Sequence, residues 1–547
     1  MALPTLTRPA PTRGDEPVVT WVRVRRPVLP AVVVVLYGAA IACYVSVALG
    51  GIGSPVGLEW MEGGISLHVQ RVLSGHSVYG PPSVAFTPYL YTPLFYYVGA
   101  AFRAVLGAGL WPLRLVSLLS SLALFGAAAK LAWVETRSRW AAVAGAGLVA
   151  AFFAASGSWL DIARVDTLCL ALVCWSLVTV RVSRRPLGAA AGAVIAVAAV
   201  MTKQIALLPA LAVLPYLWRT NRRSLWAYGA TFGVGLAVTT AVLQLTSRGW
   251  FLFYAVRVPL HHELVPGEIT RFWTADMGTR LWPVAVALAL GAGLRRGSYR
   301  PSRPIRVRPA AARTVDWWFI GPVAGALVLG AYASRLHSGG WDNVLLPAYV
   351  AAAIVAAVLL PRLQSTVELH PAVPGLRMAA ALPVATLFAV LAYNPLTRVP
   401  APSASTTTAA LVQQLRGLSG PVYLPGDPAL LAAAGLPTTA QTAAVEDVLR
   451  ADVGSTAHDL RAELDGLVRQ RYFRALVVES ERDLTVLPPD VCRYYAPVGT
   501  VPGWRNLLPV TGTSTAPKTL WMARPAPLPS TPPHCSSGPR SLPAASG

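Results

Sequence analysis

The chain has 547 residues and a mean hydropathy of +0.52; 54% of its residues are apolar and only 13% charged. A soluble domain carries about 25% charged residues, so a water-soluble globular protein is excluded. The net charge of +22 does not mark a nucleic-acid binder either, because the Arg residues cluster in short loops between apolar blocks instead of forming a basic face on a polar domain.

Residues 1–27 read as a polar, Arg-containing cytoplasmic tail. No small-residue cleavage site follows the first apolar block, so that block is expected to be a retained span and not a signal peptide. Apolar blocks at 29–49, 113–133, 141–155, 167–180, 189–201, 206–218, 228–245, 281–294, 319–333, 344–360 and 379–391 predict about eleven spanning helices within 28–399. A long first loop, 50–110, separates the first two. It contains two amphipathic stretches, 64–73 and 93–106, of the kind that lies in a membrane interface.

The loops orient the chain. Arg137 and Arg139, then Arg181, Arg184 and Arg185, then Arg219, Arg222 and Arg223, and the run from 295 through 313 mark one side as cytoplasmic. The alternate loops are poor in Arg and hold Glu59, Glu62, Asp161, Asp166, His261, His262, Glu263, His337 and Asp342. An odd span count then puts the N-terminus inside and the C-terminus outside. Residues 400–523 are mixed in composition, with apolar runs at 421–424 and 475–478 and a Leu460, Leu464, Leu467 stripe at helical spacing. They predict a small extracytoplasmic α/β domain, followed by a disordered Pro/Ser-rich tail over 524–547. Cys492 and Cys535 would then share a compartment in which disulfides persist.

Candidate chemistry gathers on the outer side. Glu59 and Glu62 stand three residues apart at the start of an amphipathic helix. A helix N-terminus by itself favours such charges by about 0.3–1 kcal/mol. Asp161 and Asp166 flank Arg164 directly before an apolar span, where ionisable groups are costly and usually functional. Lys203 suits a phosphate as a point charge. The loop 250–273 adds Arg257, His261, His262 and Arg271, and the turn from Arg335 to Asn343 adds His337 with a Gly pair that permits close backbone approach. His261 and His262 lack the i, i+4 spacing of a metal pair, and no Cys/His metal spacing occurs, so neither a metal nor a cofactor is expected. Each group alone has a structural explanation, whether an ion pair, a snorkelling Lys or a turn. Concentrated on one membrane face beside a large loop, they suit an enzyme acting on a charged lipid-linked substrate. Two rivals stand: a lipid or sugar transporter, against which there is no internal repeat and no midplane charge, and a non-catalytic cell-envelope assembly factor.

Several segments resemble the GT-C glycosyltransferases, in the branch of the protein O-mannosyltransferases and the aminoarabinose transferase of lipid A. Glu62-Gly63 followed by Arg71-Val72-Leu73-Ser74-Gly75 to Tyr79 resembles the acidic first-loop motif and its interfacial helix. Tyr91-Thr92-Pro93-Leu94-Phe95-Tyr96-Tyr97, Ala163-Arg164-Val165-Asp166 and Thr202-Lys203-Gln204 resemble further recurring segments. The resemblance spans about residues 30–400. It implies a polytopic α-helical membrane fold, a polyprenyl-phosphate sugar donor, inverting transfer to a cell-envelope acceptor, and a bacterial plasma-membrane location. Where the family often has an Asp-Glu doublet, Met61 occupies the first position. Glu62 is therefore the expected base, with Glu59 the alternative and Asp166 the second acid. Arg164 and Lys203 are expected to stabilise the leaving phosphate, with Tyr91, His261, His262, Arg271 and His337 contributing to substrate binding.

Overall fold

The computed structural model describes residues 28–296, 314–368, 375–479, 483 and 486–531. The N-terminal tail, most of the Arg run after 295, and Cys535 with its expected pairing to Cys492 lie outside them. Among the described residues, helices occupy every apolar block marked in the sequence. In chain order these begin with α1 (Val28–Gly51), α2 (Glu62–Leu73) and α3 (Leu94–Leu106) in the first loop, α4 (Trp111–Thr136), α5 (Arg139–Ala151), α6 (Val165–Val182) and α7 (Pro186–Val200). Six helices are long and apolar enough to cross a membrane: α1, α4, α6, Arg222–Thr246, Trp317–Leu336 and Asp342–Val367. The blocks at α5, α7 and Met378–Leu391 form shorter apolar helices. The block at 206–218, expected as one span, is two pieces, Leu207–Leu211 and Leu214–Thr220. Pro215 opens the second piece, where its missing N–H interrupts the hydrogen-bond ladder.

Small residues let the helices approach closely, which matters where lipid supplies no hydrophobic drive between them. A Cβ built on Gly147 of α5 would lie 2.3 Å from the Tyr37 Cβ and 2.6 Å from the Tyr37 carbonyl of α1, and one on Gly192 of α7 would lie 2.6 Å from Val180 of α6.

After Met378–Leu391 the chain turns polar. Strands β1 (Val422–Tyr423), β2 (Ala475–Val478), β3 (Tyr495–Thr500) and β4 (Thr519–Ala523) form one sheet in the order β1-β2-β4-β3. β1 runs parallel to β2 and the other pairs are antiparallel. Both apolar runs marked in the sequence are strands, and the Leu stripe lies on the helix Thr456–Arg469 with Leu460 and Leu464 buried. This region does not keep a core to itself. Ile65, Tyr89, Phe95 and Tyr96 of the first loop pack in one cluster with Val445, Leu464, Leu476 and Tyr495. The first loop and the C-terminal region are thus one body. The start of the expected disordered tail is also held. The Arg524 N–H donates to the Tyr494 carbonyl at 2.8 Å and the Leu528 N–H to that of Arg493 at 2.9 Å, so backbone pairing overrides the Pro-rich composition there.

Replacing Gly147 with Ala is expected to lower the thermal unfolding midpoint of the detergent-solubilised protein, by overpacking worth roughly 1–3 kcal/mol.

Candidate functional site

The expected base, Glu62, opens α2 and is fully buried. Its Oε2 accepts from the Leu58 N–H at 2.6 Å and from an Arg114 Nη at 2.7 Å, and its Oε1 accepts from Arg114 Nε at 3.1 Å and the Ala163 N–H at 2.6 Å. Arg114, also fully buried, spends its remaining donors on the carbonyls of Gly51, Ser54 and Val56. Two carboxylate oxygens with four short donors have no lone pair directed at a substrate. Glu62 is therefore a clamp: it ties the end of α1, the start of α2, α4 and the loop before α6 to one point. The sequence did not single out Arg114, which sits near the start of an apolar helix and whose partner is 52 residues away.

Glu59 is placed differently. Its Oε2 accepts from the Met61 N–H at 3.0 Å and from Arg164 at 3.3 Å, while its Oε1 is buried without a partner. Burial pushes its pKa up to about 7, against the opposing pull of Arg164 and the Met61 N–H. Arg164 continues the network by donating to the Tyr91 hydroxyl at 2.6 Å, and its guanidinium lies 5.2 Å from the Tyr91 ring and 5.0 Å from that of Trp159. Lys203 Nζ lies 5.6 Å from the same Tyr91 ring and donates to Asp166 Oδ1 at 2.6 Å. Asp166 stands in the first turn of α6, where the helix N-terminus favours a carboxylate. Its Oδ1 also accepts from Asn343 at 3.0 Å, while Oδ2 has no hydrogen bond and faces the unbonded Arg164 Nε across 4.0 Å. Five expected residues, Glu59, Tyr91, Arg164, Asp166 and Lys203, thus converge from four separate stretches of the chain. Asn343 joins them unforeseen; only its place in a Gly-containing turn hinted at it. Asp166, Lys203 and Asn343 also line a small cavity with Ser334 and Pro347.

The other expected binding residues stand apart from this network. His261 is exposed, with Nδ1 on the Arg257 carbonyl one turn back at 2.8 Å. His262 pairs with the Asp447 carbonyl of the C-terminal region at 3.1 Å, and half-exposed Arg271 pairs with Glu268 at 3.2 Å. His337 lies in a β-bridge with Leu264. Lying on the same loop set places these residues on a face but does not fix their distances. Among the described residues no group of three or more His, Cys, Asp or Glu is arranged to hold a metal.

The C-terminal region fixes the segment that carries Glu59. The Val510 and Thr511 N–H groups both donate to the Leu58 carbonyl, at 3.0 and 3.2 Å, and Glu59 forms a parallel bridge with Thr511. Gln441 donates to the Trp60 carbonyl at 3.1 Å from 381 residues away. Gly63 and Gly64 make the docking possible: a Cβ on Gly63 would meet Asp427 Oδ1 at 2.2 Å, and one on Gly64 the Tyr89 hydroxyl at 2.0 Å. His68, one turn on, donates from Nδ1 to the Gly64 carbonyl at 2.7 Å and accepts the Tyr89 N–H on Nε2 at 2.9 Å, stacked on the Tyr89 ring. Burial lowers its pKa to about 4, so it stays neutral and holds the loop that leads to Tyr91.

No family model matches the sequence, and no curated protein matches it. Solved structures do. A crystal structure of ArnT from Cupriavidus metallidurans bound to undecaprenyl phosphate is similar to the chain with a TM-score of 0.56 and 14% identity, over 93% of this chain and 99% of that one. The apo state of the same protein gives 0.53 and 15%, over 90% and 97%. At 14 and 15% identity the likeness is one of fold.

Exchanging Glu62 for Gln strips Arg114 of its counter-ion inside the protein. The expected loss is roughly 3–5 kcal/mol of stability, read as a fall in the unfolding midpoint with weakened expression. A variant as stable as the parent would remove Glu62 from the clamp.

Proposed function

We propose that the chain is a membrane glycosyltransferase that moves a sugar from a polyprenyl-phosphate donor to the hydroxyl of a cell-envelope acceptor. The observation that carries this reading is the convergence of Glu59, Arg164, Asp166, Lys203 and Tyr91 into one buried network. The likeness in fold to ArnT, solved with undecaprenyl phosphate bound, supports a lipid phosphate as the group these cations receive. The site is read as lying on the outer face of a bacterial plasma membrane, with the C-terminal region on the same side.

In this reading the base is Glu59 and not Glu62, because Glu59 keeps one carboxylate oxygen without a partner. The acceptor oxygen attacks the anomeric carbon while its proton passes to Glu59. The bond from that carbon to the phosphate oxygen breaks, and its electron pair leaves with the polyprenyl phosphate. A single displacement of this kind inverts the anomeric centre. The leaving phosphate needs positive charge and no proton. Lys203 offers the donors that Asp166 does not use, and Arg164 offers its unbonded Nε. Asp166 and Asn343 hold Lys203 in place, and Tyr91 fixes the Arg164 plane.

Transfer of radiolabelled sugar from a panel of polyprenyl-phosphate sugars to a membrane extract tests this with purified protein. Glu59→Gln is expected to lower kcat by roughly 10²–10⁴-fold, the usual share of a general base; full activity would sink the assignment. Lys203→Gln is expected to lower kcat/KM for the donor roughly tenfold or more. Glu59 acts deprotonated, and its pKa is pushed up to about 7. The rate should therefore rise with pH, about tenfold per unit below that value, and level off above it; a rate unchanged between pH 5 and 8 would point to another base.

A further inference from the structure

Between the Glu59 segment and the C-terminal region lies a second cavity, separate from the one at Asp166 and Lys203. It measures 380 Å³ counted to its open mouth, and its interior leaves about 30 Å³ for water-sized occupants. Room for about two water molecules admits a hydroxyl or hydroxymethyl arm but not a whole sugar ring. The wall carries three carboxyl groups, Glu59, Asp427 and Glu479, together with Thr408, Thr515 and Trp60, and contains no Lys, Arg or His. Two oxygens in it, Oε1 of Glu59 and Oε1 of Glu479, are buried without a hydrogen-bond partner, in side chains 0% and 5% exposed. Buried polar atoms in folded proteins are ordinarily paired, so these two stand ready for a ligand's donors.

We propose that this cavity receives the reacting hydroxyl or hydroxymethyl arm of the acceptor, and that the acceptor is an uncharged, hydroxyl-rich carbohydrate whose reacting hydroxyl is steered to Glu59 by Asp427 and Glu479. The inference rests on the transferase reading above and adds to it the class of acceptor. Glu59 then divides two compartments: cations on the Arg164 side for the lipid phosphate, carboxyls on the C-terminal side for hydroxyls. A phosphorylated acceptor would meet three acidic groups and no cation. Burial raises Asp427 to about 6 and Glu479 well above the usual carboxylate range, the latter with added repulsion from Asp483 and Asp427. Partly protonated carboxyls both donate and accept, as sugar hydroxyls do. The backbone is shaped to the same end, since a Cβ on Gly426 would fall 1.3 Å from Glu479 Oε2, so only glycine lets that carboxyl reach the cavity wall.

The test separates a membrane extract by ion exchange at pH 7 into unretained, anionic and cationic fractions, and supplies each to the purified full chain with labelled polyprenyl-phosphate sugar. Label is expected in the unretained, glycosidase-sensitive fraction. Asp427→Asn, which keeps the side chain's cap on Ala429, and Glu479→Gln are each expected to raise the KM for that acceptor roughly tenfold or more, with the KM for donor unchanged. Label confined to a charged fraction, or both variants at the parental acceptor KM, would overturn the assignment. No label in any fraction, with donor still bound, would take down the transferase reading and this inference with it.

Discussion

One buried ion pair, Glu62 with Arg114, sets the geometry of everything near the network. Removing two charges from water costs several kcal/mol per ion, and an isolated pair would not recover it. Here the recovery comes from the backbone. Arg114 binds carbonyls left over where α1 ends, and Glu62 binds N–H groups on either side of the site, at Leu58 and Ala163. Those two N–H groups belong to the segments that carry Glu59 and Arg164. The distance between the lone carboxylate and its cation is therefore set by a neighbouring pair that has no room for substrate.

That division of labour explains what the sequence could and could not tell. Apolar block length located the six helices long enough to cross a membrane, because that length is a physical requirement that leaves a direct trace in composition; it did not show that the 206–218 block is broken in two. The network residues at Arg164, Asp166 and Lys203 were legible because ionisable groups at the ends of apolar helices are rare. Which of two buried carboxylates three positions apart keeps an oxygen without a partner was not legible. It depends on Arg114 and Ala163, whose contacts are 52 and 101 residues from Glu62. His261, His262, Arg271 and His337 lie outside the network for the converse reason: the hydropathy pattern assigns a loop to a face and says nothing of where on that face it folds.

The C-terminal region shows the same limit on a larger scale. Two of its four strands and its Leu stripe follow from local pattern, and composition made it look like an appended domain. The shared core with Tyr89, Phe95 and Tyr96 has no local signature, because each half of it is an ordinary apolar surface until the other arrives. The glycines of α2 are the one trace of it. In a helix they cost about 1 kcal/mol each against alanine. Gly63 and Gly64 stand where Asp427 and Tyr89 press against the helix backbone.

The parallel bridge between Glu59 and Thr511 bears on how such a protein is made. Ribosomes deliver the first loop well before the stretch around Thr511, and Gln441, which steadies Trp60, also comes 381 residues after its partner. Until that stretch emerges, the Glu59 segment lacks the bridge and the N–H donors that align it, and α2 lacks the surface that covers it. Newly inserted helices thus wait for the rest of the chain before the Glu59 segment is aligned. A chain cut short by a premature stop, even one with every apolar helix in place, would leave in the bilayer a bundle whose first loop exposes the apolar surface that the C-terminal region covers.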